Sequence, residues 1–103
     1  MVKSGDAGQA APVWQTRDPD GRLVLLTFAR WQHVLEDHPE LADARGAILA
    51  VVAEPAAHVR GRDYNEEWFY GQGFGPSRFV RVVVHFRNEV GTVTTAFPRR
   101  RFP

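Results

Sequence analysis

With 103 residues the chain holds one hydrophobic core and is too short for two. Its composition, 44% apolar and 24% charged with a formal net charge of +1, is that of an ordinary globular domain and not of a strongly basic nucleic-acid binder. The absence of cysteine excludes a disulfide framework, a thiolate nucleophile and a cysteine-based zinc site.

The charge is unevenly spread. Residues 1–54 carry five basic and eight acidic groups (−3), and residues 55–103 carry eight basic and four acidic (+4), so the second half is the one able to hold a polyanion. Twelve of the thirteen basic residues are arginine, the side chain suited to bidentate phosphate contacts. The opening "MVKSGDAGQAAP" lacks the apolar core of a signal peptide, and the longest apolar run, Ala47 to Ala53, is too short to cross a bilayer. The expectation is a cytoplasmic protein without a membrane partner, residues 1–11 forming a mobile tail and residues 12–103 a single domain.

Two β-compatible runs, Val13 to Arg17 and Leu23 to Phe28, flank "DPDG", a turn sequence, and predict a hairpin. Thr27 is placed to cap a helix whose positions Trp31, Val34, Leu35 and His38 follow i, i+3, i+4, i+7 spacing, and Pro39 ends it at His38. A second helix is expected from about Glu40 to Ala53, with Leu41, Ala44, Ile48, Val51 and Val52 on one face and Pro55 after it. Ala57 to Arg60 reads as a short strand. The aromatic "YNEEWFY" reads as a strand or lid, and Gly71, Gly73 and Gly75 as a loop. "RFVRVVVHF" and "GTVTTAF" form a terminal antiparallel hairpin. The order ββααβ(β)ββ implies an α+β domain, two helices packed on one face of a small antiparallel sheet, the other face open to a ligand.

The four histidines, His33, His38, His58 and His85, have no metal-ligand spacing, and no metal or cofactor is expected. His33 and His38 lie five apart, on different faces of their helix. His38 ends the apolar stripe at a helix C-terminus, where the macrodipole favours a cation; it is either a capping histidine or a proton carrier. In the terminal hairpin the simple register pairs Val84 with Val93, Val82 with Thr95 and Arg81 with Ala96. Arg81, His85, Thr92 and Thr94 then share the open face, a plausible phosphate site. A one-residue bulge would bring Thr95 and Phe97 there instead. Arg60 and Arg62 offer further charge. Tyr64, Trp68 and Tyr70 are either base-stacking aromatics or strand core, and the closing "PRRRFP" is either a phosphate contact or a solvated segment.

Taken together, "HPEL", the Ile/Val-rich helix ending in "EP", and the hairpin of form R-V-x-V…G-x-V-x-T-A-F-P resemble the Barnase–EndoU–colicin–RelE superfamily, specifically its small phage and bacterial toxin-like ribonuclease domains. The resemblance spans roughly Trp31 to Pro98. It implies a bacterial endoribonuclease that works without metal, cleaving RNA through attack of a 2′-hydroxyl on the adjacent phosphate. RNA, single-stranded or tRNA, is the implied substrate, and a cognate antitoxin or immunity protein an implied partner. The resemblance puts the helix histidine at His38, with His33 as competitor, and the motif threonine at Thr95; Arg81 or the Arg60/Arg62 pair is the candidate for the basic residue. His85, Arg60, Arg62, Thr94, Phe97, Tyr64 and Trp68 are the candidate substrate contacts. The motif's usual tyrosine is Phe97 here, so its phenol is missing. A noncatalytic RNA- or protein-binding module on the same scaffold is the alternative.

Overall fold

Strand-forming sequence lies at both ends of the chain, and the two ends meet in one sheet. The computed structural model describes residues 12–74 and 77–102; the expected tail, residues 1–11, and Gly75 of the expected loop lie outside the described residues. In chain order the elements are β1 (Val13–Arg17), β2 (Leu23–Thr27), α1 (Phe28–Asp37), a 3-10 turn (Pro39–Leu41), α2 (Arg45–Ala53), β3 (Ala57–Arg60), β4 (Glu66–Phe74), β5 (Arg78–Arg87) and β6 (Val90–Arg99). Across the sheet they run β1-β2-β6-β5-β4-β3. The β2–β6 pair is parallel and the other pairs are antiparallel. The chain is thus α+β, with two helices and a six-stranded, mostly antiparallel sheet.

Local chemistry explains the boundaries. In "DPDG" the Asp18 carboxylate accepts from the backbone N–H of Asp20 at 3.0 Å and of Arg22 at 2.8 Å, which closes the β1–β2 turn. Thr27 Oγ1 accepts from the Arg30 N–H at 3.2 Å and caps α1. Asn88 and Glu89 join β5 to β6 with φ of 52° and 66°, the left-handed pair that a two-residue hairpin turn needs.

Two expectations are corrected. The second helix starts at Arg45 and not near Glu40, because Pro39 opens a separate 3-10 turn that buries Leu41. The expected glycine loop is strand up to Phe74: Gly71 and Gly73 lie within β4. Gly71 is needed where α2 packs against this strand, since a Cβ there would overlap the side chain of Val51. Gly73, at φ 84°, sits at a register shift between Gln72 and Phe74.

The core lies between the helices and one sheet face. Val80, Val82 and Val84 of β5 are fully buried there with Val24, Leu26, Phe69, Val93 and Ala96, beneath Trp31, Val34, Ile48, Val51 and Val52. Each such valine contributes about 1.5–3 kcal/mol relative to an exposed one. The sheet residues of opposite parity, Arg81 among them, are left on the face away from the helices.

Candidate functional site

The site begins with a bulge. β5 and β6 pair Val84 with Val93 but Val83 with Thr95, so Thr94 is an extra residue. Beyond it Val82 pairs with Ala96 and Arg81 with Phe97, in place of the Val82–Thr95 and Arg81–Ala96 pairs of the simple register. The physical reason is burial. Ala96 is completely covered, and a threonine in that position would bring a hydroxyl into the apolar layer without a partner. The bulge therefore sorts two adjacent hydroxyls: Thr94 Oγ1 donates to the Val83 carbonyl at 3.3 Å, while the Thr95 hydroxyl makes no hydrogen bond among the described residues and borders the hollow described next.

Thr95 borders a shallow hollow of about 390 Å3 on the open face. Arg81, Arg62, Trp68, Phe97 and Thr94 line it as well, together with the carboxylates Asp63 and Glu66. The Arg81 guanidinium sits 3.8 Å from the Trp68 ring centroid and 5.3 Å from those of Tyr70 and Phe97. Its Nε donates to Tyr70 Oη at 2.8 Å. Neither terminal amino group meets a carboxylate among the described residues, so the aromatic cup presents two donors of a planar cation to whatever enters. Trp68 is itself pinned, its indole N–H donating to Glu66.

His38 closes α1 and is not one of the residues lining the hollow; it meets the hollow only through Phe97. Its backbone N–H donates to the Val34 carbonyl at 2.8 Å, and its ring stacks on Phe97 with centroids 6.2 Å apart. Glu40 Oε2 lies 3.4 Å from its Nδ1, which leaves Nε2 as the nitrogen without a carboxylate. An imidazole, a guanidinium and an alcohol thus surround one phenylalanine ring.

Other candidates lie elsewhere. His33 sits on the solvent side of α1 with Asp37 at 3.6 Å. Arg60 stands across from Glu67 in strand register, on the opposite sheet face from Arg81, whereas Arg62 borders the hollow, so Arg60 and Arg62 do not act together. Tyr64 is 83% exposed on the β3–β4 turn, away from the hollow's lining. His85 shares the open face but stands opposite Glu66 and Thr92, further along β5. Tyr70 is too buried to stack on a base, and its role as the partner of Arg81 was missed. The signal was a Tyr70–Arg81 cross-strand pair, visible only once the register of a glycine-bearing strand is known.

A second charged cluster lies on the helix side. Arg22 bridges Asp18 at 2.7 Å and both oxygens of Glu67 at 2.7 and 3.0 Å, lies 3.6 Å over the Phe86 ring, and His58 Nε2 meets Glu67 at 2.6 Å. The hydrogen bonds from Arg22, against partial desolvation and aided by His58, hold the Glu67 carboxyl below its usual range; the same bond raises Arg22. Every charge here is answered, which makes the cluster a fastening between the β1–β2 turn and β4. A larger groove of about 740 Å3 between α2 and β4 carries Glu40, Asp43 and Glu54 and, among the described residues, no cation, a poor seat for a phosphate chain.

Among the described residues no helix is long and apolar enough to cross a membrane. No family model matches the chain, and no curated protein or solved structure is significantly similar to it.

Proposed function

We propose that this protein is a metal-independent endoribonuclease of toxin or phage-effector type, cleaving RNA by attack of a 2′-hydroxyl on the adjacent phosphate. The observation that carries the reading is the Thr94 bulge, which turns Thr95 toward the same hollow as Arg81, with His38 stacked on Phe97 at its edge. Scission forms a bond from the 2′-oxygen to phosphorus and breaks the bond to the 5′-oxygen. A base must take the 2′ proton, an acid must supply one to the 5′-oxygen, and donors must meet the charge growing on the phosphoryl oxygens. In this reading His38 Nε2 carries the proton, the terminal amino groups of Arg81 hold the phosphoryl oxygens, and Thr95 donates one neutral hydrogen bond. Trp68 and Phe97 form the apolar walls against which a base rests.

The test is incubation of short RNAs in EDTA with the native protein, His38→Ala and Thr95→Ala. Products ending in 2′,3′-cyclic phosphate, reduced about 100-fold by His38→Ala and about 10-fold by Thr95→Ala, are the expected result. The absence of a phenol on Phe97 favours one second reading, a noncatalytic RNA-binding module. Retention of RNA on a filter with no cleavage selects it and overturns the enzyme.

A further inference from the structure

The segment after β6 does not leave the sheet. Arg99 still pairs with Phe79, the chain then bends, and Phe102 returns to the open face. Its ring stacks on Phe79 with centroids 5.1 Å apart and an interplanar angle of 20°, and meets Tyr70 edge-on at 5.9 Å and 87°. Tyr70 is only 1% exposed although it lies on the face away from the helices. Its hydroxyl accepts from Arg81 Nε.

We infer that Phe102 and Tyr70 are positioning residues for Arg81, so that the segment following the last strand is a working part of the site. This rests on the nuclease reading for its catalytic consequence but not for its geometry. A guanidinium on a long flexible stem loses rotamer freedom each time it meets an anion, and one held in place beforehand loses less. The three rings around Arg81 set how deep its plane lies, but a stack permits sliding and rotation. The bond from Nε to Tyr70 removes that freedom and uses the nitrogen that leaves both terminal amino groups pointing outward. It endures only while water is kept from the phenol, and Phe102, edge-on to the Tyr70 ring and itself 38% exposed, stands between that ring and solvent as part of its cover.

The experiment compares the native protein with Phe102→Ala, Phe102→Trp and Tyr70→Phe. Tyr70→Phe keeps the ring and removes only the hydroxyl, so it stays informative if Phe102→Ala folds poorly. Solvent exchange of the Arg81 Nε–H, read by NMR, is expected to be slow in the native protein, at least about 10-fold faster in Phe102→Ala and Tyr70→Phe, and slow again in Phe102→Trp. With RNA, kcat is expected to fall about 10-fold in the first two variants while KM changes less than about threefold, and Phe102→Trp to recover it. Native-like exchange in both Phe102→Ala and Tyr70→Phe overturns the inference whether or not RNA is cleaved. Faster exchange in a protein that never cleaves RNA supports the positioning and sinks the nuclease reading instead.

Discussion

Two arginines stand on opposite faces of the same sheet and have opposite fates. Arg22 lies on the helix side, with Asp18, both oxygens of Glu67 and the Phe86 ring around it. Arg81 lies on the open side, among Trp68, Tyr70 and Phe97, and takes one neutral acceptor. Both are desolvated by aromatic surface, but only Arg22 has its charge neutralised there. A cation whose partners come from distant parts of one chain fastens that chain. A cation held in an apolar cup with its terminal donors pointing outward is stabilised for an anion yet to arrive.

The contrast is broken most severely at Arg81. Arg81→Ala is expected to lower kcat/KM for RNA by about 100- to 1,000-fold, the loss usual for a donor facing a developing oxyanion. Arg81→Lys is expected to recover little, because an ammonium neither stacks in the cup nor reaches two oxygens in one plane. Stability is expected to fall by only about 1–3 kcal/mol, the loss of the ring contacts and of the bond to Tyr70, since Arg81 makes no ion pair among the described residues. A large drop in unfolding midpoint with unchanged cleavage would make Arg81 another Arg22.

The mirror experiment is Glu67→Gln. Here stability is expected to fall by roughly 2–3 kcal/mol, the loss of charge-assisted hydrogen bonds to Arg22 and His58, while RNA cleavage below the new midpoint is unchanged. The pH dependence carries a definite sign. Because the folded carboxyl of Glu67 is held low, its contribution is complete well above its ordinary value of 4.5 and is lost as pH falls through the depressed folded value. Urea titrations between pH 6 and 3 are expected to show the native protein weakening more steeply than Glu67→Gln over that window. Parallel curves would mean that the carboxylate is not held by Arg22 in solution.

How much of this was legible beforehand follows the same division. The helix side is read from pattern: Val80, Val82, Val84 and Phe86 alternate without interruption, and helix spacing of Trp31 and Val34 requires a face to bury. The turn of Asp18 and the cap of Thr27 announce themselves by residue type. The open side depends on register, and alternation across Thr92 to Phe97 runs equally well with or without an extra residue. What places the bulge is tertiary: only Ala96 is small and apolar enough to face Val82 beneath the helices. Gly71 misled for a related reason, since a glycine that admits Val51 resembles one that breaks a strand. Phe102 reads from sequence as the end of a charged run, because its partners Phe79 and Tyr70 lie far back in the chain.

The smallest expected effect separates two histidines that the motif alone does not distinguish. His33 and His38 are five residues apart, and the chain turns their rings to different surroundings. His33 keeps 46% of its side chain exposed and reaches Asp37 at 3.6 Å, an i, i+4 pair in water of the kind that contributes about 0.3–0.5 kcal/mol at most. His38 meets Phe97 and Glu40 where α1 ends. His33→Ala is therefore expected to shift the unfolding free energy by less than about 0.5 kcal/mol and cleavage by less than about twofold, measured beside His38→Ala under identical conditions. The reverse result, loss of cleavage in His33→Ala with native rates in His38→Ala, would require the proton to be carried from the solvent side of the helix. The anion would then have to lie there too, and neither Arg81 nor Thr95 would be its neighbour.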